Sequence, residues 1–297
     1  MLENLKLGGQ YDGFLFLAEA ARNPPVLRSH RHAELELNLV VEGTITYVVR
    51  GQRFTFGKRT LLWMFPAQEH QLVDRTSDAQ YYVAVFKPGL IRTACRSERY
   101  NDLKRSNVKG EGVLQTTLEP GAFDLVKKTM ELMMIGALDA DVLNREAGFG
   151  VASNFLFEHG DPDALNAGLR HLLLLCWRYQ LTGGTTSGAV ALHPAVIKAL
   201  GLLGDGDWPG SLGELARQCG VSEAYLSRVF AGQMGVSLGR YRNSVRMGRF
   251  LELCRQPGRK TMLEAAYAAG FGSYAQFYKV FVQTYGTGPS TTMKPRE

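Results

Sequence analysis

Two S/T-x-x-E tetrapeptides fifty residues apart, Ser211-Leu-Gly-Glu214 and Thr261-Met-Leu-Glu264, place the strongest constraint on this chain. Each is a capping box: the hydroxyl accepts from an orphan amide of the first helical turn while the glutamate reaches back to the cap. Ala216 and Ala266 share that offset, as do Gly220-Val221 and Gly270-Phe271. With one residue inserted, Leu226 then matches Phe277, Phe230 matches Phe281 and Gly235 matches Gly286. A repeat of this kind marks a duplicated structural unit. Each copy predicts a short helix, a turn at glycine and a second amphipathic helix. The small alanine lets the second helix cross the first closely, and glycine takes the φ > 0 of a sharp turn without penalty. Leu226 and Phe230, like Phe277 and Phe281, lie at i, i+4 and hold the second helix down. Ala224, Tyr225, Ser227 and Arg228 are then outward or flanking in the first copy, with Tyr274, Ala275, Tyr278 and Lys279 placed similarly in the second. Ser237 to about Gln256 reads as one helix of roughly 30 Å. That length approaches the ~34 Å between successive major-groove faces, so two second helices joined by it reach adjacent grooves.

Charge points the same way. His193 to Glu297 holds 13 Lys or Arg against 7 Asp or Glu, whereas the remaining residues carry 21 of each, so the net +6 lies in the C-terminal third. A basic module joined to a neutral domain is the footprint of nucleic-acid binding. The plainer alternative for charge alone is a solvated basic face.

The stretch Gly270-Phe-Gly-Ser-Tyr-Ala-Gln-Phe-Tyr-Lys-Val-Phe-Val-Gln-Thr-Tyr-Gly-Thr-Gly-Pro289 resembles the signature of AraC/XylS-type regulators, and Ser222-Glu-Ala-Tyr-Leu-Ser-Arg-Val-Phe230 through Arg246 resembles the first motif of the same family. The resemblance implies double-stranded DNA as partner, with Ala224, Tyr225, Ser227, Arg228, Tyr274, Ala275, Tyr278 and Lys279 facing the major groove. Arg228 and Lys279 are the donors able to approach guanine O6 and N7, arginine in bidentate fashion. It also implies RNA polymerase as a partner and activation rather than repression. Two departures stand out: Val282-Gln283 replace the usual lysines after Phe281, and Thr292-Met293 replace the usual aromatic-Arg pair after the proline. The first unit is therefore expected to dominate affinity.

Residues from about Arg28 to Lys87 read as β. Leu35–Val41, Ile45–Val49, Arg53–Phe56, Leu61–Phe65 and Tyr81–Phe86 are rich in β-branched and aromatic residues, punctuated by Gly43, Gly51, Gly57 and Pro66. Such spacing suggests a sandwich or small barrel. Within it stands H-x-H-x3-E-x6-G, formed by His30, His32, Glu36 and Gly43, followed by Pro66-Ala-Gln-Glu-His70. On one extended strand residues 30, 32 and 36 share parity and face. This pattern resembles the cupin metal motif over about residues 25–90, and AraC-type regulators often carry such a barrel as effector domain. Three readings stay open. His30, His32, Glu36 and His70 hold a divalent transition metal (Zn, Ni, Fe or Mn). Alternatively His30, His32, Glu34, Glu36 and His70 hydrogen-bond a small polar effector such as a sugar, with no cofactor required. In the plainest case they satisfy one another and water. Tyr47, Phe54, Trp63 and Tyr82 are the aromatics from which the barrel lining is drawn.

Helical periodicity begins near Pro120, with Phe123–Leu132 as one helix. Leu165, Leu169, Leu172, Cys176 and Tyr179 mark one face of a longer one. That stripe suggests a homodimer contact, against the alternative that it packs on its own barrel. Thr182–Gly188 (TGGTTSG) is a flexible linker by composition, after which no strand is expected. The expected fold is multi-domain α+β: a cupin-like effector barrel over 1–115, a helical connecting region over 116–188 and an all-α double helix-turn-helix domain over 189–297.

The first twenty residues, which include Glu3, Lys6, Asp12 and Glu19, contain no unbroken apolar h-region, so no signal peptide is expected. The longest apolar run, Leu172–Trp177, is too short to span a bilayer. Cys95, Cys176, Cys219 and Cys254 form no C-x-x-C pair and read as free core thiols of a cytoplasmic protein. No Ser/His/Asp triad, Walker loop or G-x-G-x-x-G fingerprint supports catalysis. The rival function is a metal-dependent cupin enzyme, an isomerase or oxygenase, with an attached helical domain.

Overall fold

The computed structural model describes residues 5, 7–19, 29–107, 112–135, 157, 159–183, 190–204, 208, 210–255 and 261–292. Among the described residues nine strands form two sheets, with all pairings antiparallel. The first sheet contains β1 (Gly13–Glu19), β7 (Gln80–Phe86), β2 (Leu35–Glu42), β5 (Thr60–Met64) and β8 (Leu114–Thr117), in that order. The second contains β6 (His70–Arg75), β3 (Thr44–Val49), β4 (Gln52–Gly57) and β9 (Val190–Ala191). All five runs read as strands are strands. β6 lies within the region read as β but outside those runs, β1 and β8 lie outside the region, and β9 corrects the expectation of no strand after residue 188.

Register decides what each face meets. On β3 and β4, Tyr47 pairs with Phe54 and Ile45 with Phe56. These four line the space between the sheets, packed in the same core as Val40, Tyr81 and Val83 of the first sheet. On the opposite face of the first sheet, Trp63 meets Trp177 edge-on at 5.4 Å. That face is covered by helices: α1 (Pro88–Ala94), α2 (Pro120–Met133) and α3 (Pro162–Thr182). Leu165, Leu169, Leu172 and Cys176 of α3 are each 1% exposed or less and pack into the barrel core. The stripe read as a dimer contact is thus occupied within its own domain, since the first sheet's apolar outer face needs a cover. Residues 184–188 of the expected linker lie outside the described residues.

The C-terminal region is helical: α4 (Pro194–Gly204), α5 (Leu212–Gln218), α6 (Glu223–Met234), α7 (Leu238–Arg255), α8 (Met262–Ala268), α9 (Tyr274–Tyr285) and α10 (Pro289–Thr292). It has two cores. α7 supplies Leu238, Tyr241 and Val245 to the first and Met247, Phe250 and Leu251 to the second. The first core also takes in Val48 and Val73 from the outer face of the β6-β3-β4-β9 sheet. This sheet therefore packs on both faces, one toward the barrel interior and one toward the C-terminal helices. β9 strengthens the junction by pairing with β4, and Leu192 N donates to Gly51 O at 3.1 Å.

Among the described residues no helix is long and apolar enough to cross a membrane. Cys95 and Cys176 are buried, while Cys219 and Cys254 are half-buried at the edges of the two C-terminal cores.

Candidate effector site and DNA interface

The three barrel histidines converge, though by a different route from the single strand expected. The chain bends at Ala33-Glu34, so His30 and His32 precede β2 rather than extend it. His30 instead forms an isolated antiparallel bridge with His70: His30 N donates to His70 O at 3.0 Å and His70 N to His30 O at 2.9 Å. One ring nitrogen from each of His30, His32 and His70 lies within 4.8 Å of the others. Glu36, from β2, brings Oε2 to 3.1 Å from His32 Nε2 and 3.7 Å from His70 Nε2. All four side chains are buried.

Backbone carbonyls orient two of the rings. His70 Nδ1 lies 2.9 Å from Gln68 O, and His32 Nδ1 lies 3.0 Å from Glu34 O. A carbonyl only accepts, so each Nδ1 carries the proton and each Nε2 presents its lone pair when the ring is neutral. Gln68 is itself fixed, accepting from Phe65 N at 2.9 Å and donating to Gly112 O at 2.8 Å. His70 Nε2 is buried without a hydrogen-bond partner. This donor set fits a tetrahedral transition metal: three imidazoles, a carboxylate and carbonyls fixing the tautomer. Burial pushes the Glu36 carboxyl up, but with the rings protonated the hydrogen bond from His32 and the charges of His32 and His70 outweigh it and hold the carboxyl well below its usual value. Asn38 Nδ2, donating to Glu36 Oε1 at 2.7 Å, completes the carboxylate's environment. Glu34 sits at the rim, its Oε2 3.7 Å from His32 Nδ1.

Of the candidate aromatics, Tyr47 and Phe54 face the interior, and the Tyr47 ring lies 6.2 Å from His70. Trp63 faces the helices. Tyr82 lies on the same side, since it pairs with Leu39 while inward Tyr81 pairs with Val40.

The two C-terminal repeats share the same caps and turns. Both capping boxes form, with Ser211 and Glu214 in one and Thr261 and Glu264 in the other. Gly220 and Gly270 make the turns at φ 75° and 91°. Ser222 and Ser273 cap the second helices, which end at Gly235 and Gly286 at φ 74°. Leu226, Phe230, Phe277 and Phe281 are fully buried. Ala224, Arg228, Tyr274, Ala275, Tyr278 and Lys279 are exposed, while Tyr225 and Ser227 are half-buried. The guanidinium of Arg228 lies over the Tyr225 ring at 5.6 Å. Ala195 N donates to His193 Nδ1 at 3.2 Å, so His193 Nε2 carries the proton and faces the Tyr225 hydroxyl at 3.4 Å. The sequence pattern did not signal this hold on Tyr225. At 18 residues, α7 spans roughly 27 Å between the two units.

One contact links both sites. His70 and Gln71 are consecutive on β6 and so point to opposite faces. Gln71 Nε2 donates to the Tyr241 hydroxyl of α7 at 2.6 Å. Nothing in the sequence marked this pair, because β6 itself was not read as a strand.

A family model described as an AraC-like ligand binding domain matches residues 16–118, and one described as a helix-turn-helix domain matches residues 215–295. No curated protein matches the chain by sequence. Among solved structures, ToxT from Vibrio cholerae is 12% identical, covering 94% of this chain and 96% of its own, with a TM-score of 0.34. ToxT with a bound unsaturated fatty acid is 12% identical over 94% of each chain at a TM-score of 0.35. The AraC-like transcriptional activator CuxR is 12% identical, covering 89% of this chain and 83% of its own, at 0.33. The paired domain matches, with both repeats folded as helix-turn-helix units, make this chain an AraC-type DNA-binding regulator with an N-terminal ligand-binding domain.

Proposed function

We propose that this protein is a cytoplasmic, sequence-specific transcription activator whose DNA affinity is set by a small polar effector held between the barrel sheets. Residues 1–115 are taken as the effector domain, 116–188 as the connecting region and 189–297 as the DNA-binding domain. Ala224, Tyr225, Ser227 and Arg228 read one major-groove segment, and Tyr274, Ala275, Tyr278 and Lys279 the next. The first unit contributes Arg228, the donor suited to guanine. His30, His32, Glu34, Glu36 and His70 contact the effector. RNA polymerase and a second copy of the chain are the further partners. The α3 stripe does not supply the dimer contact; Leu125 and Leu132, exposed one heptad apart on α2, are the better candidates.

The observation that carries this reading is the seating of the DNA-binding region on the outer face of the sheet whose inner face bears His70. An effector that shifts β6 at His70 also acts on Gln71 and its bond to Tyr241. It thereby biases two placements of the helix-turn-helix units by its differential affinity for them. An independent metal-dependent enzyme domain has no need of such a junction.

A divalent transition metal (Zn, Ni, Fe or Mn) fits His30, His32, His70 and Glu36. When bound, it supplies a Lewis-acid anchor for an effector oxygen. In either case His70 and His32 are oriented by carbonyls and Glu36 by Asn38.

The test is selection of bound sequences from random duplex DNA, followed by anisotropy titration with and without candidate polyols. A pool that never enriches a motif would end the regulator reading. Elemental analysis of protein purified without a nickel column decides the metal. Less than about a tenth of an equivalent would remove it.

A further inference from the structure

At the end of the barrel interior where β6 finishes lies a guanidinium, that of Arg75, with one edge unpaired. A bulge near Val73 breaks the alternation of β6: Leu72 pairs with Tyr47, whereas Asp74 pairs with Thr46 and Arg75 with Ile45. Val73 packs with the DNA-binding core, and Asp74 approaches Gly235 of the same region. Arg75 therefore turns inward on the Ile45 side. Its Nη1 donates to the Tyr81 hydroxyl at 3.3 Å. Its Nη2 is buried and has no hydrogen-bond partner. Among the described residues no carboxylate forms an ion pair with this guanidinium. Glu36, the interior carboxylate, is engaged by His32, His70 and Asn38.

Tyr47 and Tyr81 join this neighbourhood. Burial and then the Glu36 charge push the Tyr47 phenol up; burial chiefly pushes the Tyr81 phenol up, and Arg75 offsets these effects only in part. Both therefore remain O–H donors at neutral pH. Arg75 is half-buried, but its Nη2 is shielded from water; a shielded guanidinium N–H left unpaired is costly, and such an edge beside phenol donors suits a planar anion. One guanidinium balances one negative charge, which matches a carboxylate better than a dianionic phosphate.

We propose that Arg75, with Tyr81 and Tyr47, is an anion subsite that binds a carboxylate group of the effector. This rests on the reading of the barrel as an effector domain. It narrows the effector from a neutral sugar to an organic acid, its carboxylate at Arg75 and its remaining polar atoms toward His70.

The test titrates the full-length protein calorimetrically with hexanoate and cyclohexanecarboxylate, each against its own primary amide. At least one acid is expected to bind about tenfold or more tighter than its amide, the worth of a charge-assisted hydrogen bond. Arg75→Gln should abolish that preference, Arg75→Lys should retain part of it, and Tyr81→Phe should reduce it. If Arg75→Gln melts below the assay temperature, the lysine and phenylalanine variants decide. Acid and amide binding equally, neither acid binding, or an unchanged preference in the Arg75 variants overturns the proposal. Anisotropy with selected DNA separates the two readings. An acid that binds through Arg75 without altering DNA affinity leaves the subsite and removes the effector role. A neutral polyol that alters DNA affinity while no acid binds does the reverse.

Discussion

The amide of Gln71 and the hydroxyl of Tyr241 meet at 2.6 Å across 170 positions of chain, joining the strand that carries His70 to the helix that joins the two DNA-binding units. Tyr241 is 1% exposed, so the bond is shielded from competing water. Replacing Tyr241 by Phe should lower stability by about 1 kcal/mol. A double-mutant cycle with Gln71→Ala should give a coupling of about 0.5–1.5 kcal/mol. Thermal denaturation measures it, and strictly additive losses would show that the pair does not hold the domains together.

Arg228 is exposed and touches little beyond the Tyr225 ring. Arg228→Ala should leave the melting temperature nearly unchanged. It should cost about 1–3 kcal/mol in DNA binding and relax preference at one half-site. Footprinting with unchanged base preference would move the reading residue elsewhere.

Gly43, the glycine of the H-x-H-x3-E-x6-G spacing, has φ 64°, and an added Cβ would lie 2.3 Å from Thr76 Oγ1 and 2.9 Å from Ala79 Cα. Gly43→Ala combines backbone strain with a clash against the chain. Destabilisation of about 1–3 kcal/mol is expected by chemical denaturation.

The Glu214 carboxyl is held below its ordinary value of 4.5, chiefly by the Ser211 backbone amide and then its hydroxyl. A carboxyl lowered on folding adds stability above pH 4.5, and that stability is lost as pH falls through the lowered value. Ser211→Ala should move the Glu214 titration, followed by NMR, up toward 4.5 and cost about 1 kcal/mol through the lost cap. No change in the titration would mean that the capping box does not persist in solution.

Leu169 is fully buried against the barrel, its Cδ1 close to Gly13. Leu169→Ala should destabilise the fold by about 2–5 kcal/mol. Sedimentation below the melting temperature should find the oligomeric state unchanged. Dissociation of a dimer without loss of stability would restore the stripe as an interface.

The amino-acid sequence by itself determined the DNA-binding half almost completely. Its signals are local: capping boxes, turn glycines and i, i+4 anchors act within one or two helical turns, so Ser211, Gly220, Leu226 and Phe230 declare their structure without distant partners. The strands with a clear β-branched run were legible for the same reason. Tertiary structure alone decided the rest. Parity on one strand suggested that His30, His32 and Glu36 share a face, but a bend and a bridge to His70 assemble them. The leucine stripe of α3 was visible, but only the adjacent sheet shows that it is spent on its own domain. Arg75 was hidden because a bulge in β6 reverses its face. Gln71 and Tyr241 were hidden because a hydrogen bond spanning 170 residues leaves no periodic trace. Helix signals repeat within a few residues, whereas sheet register and domain docking depend on which distant segments happen to be opposed.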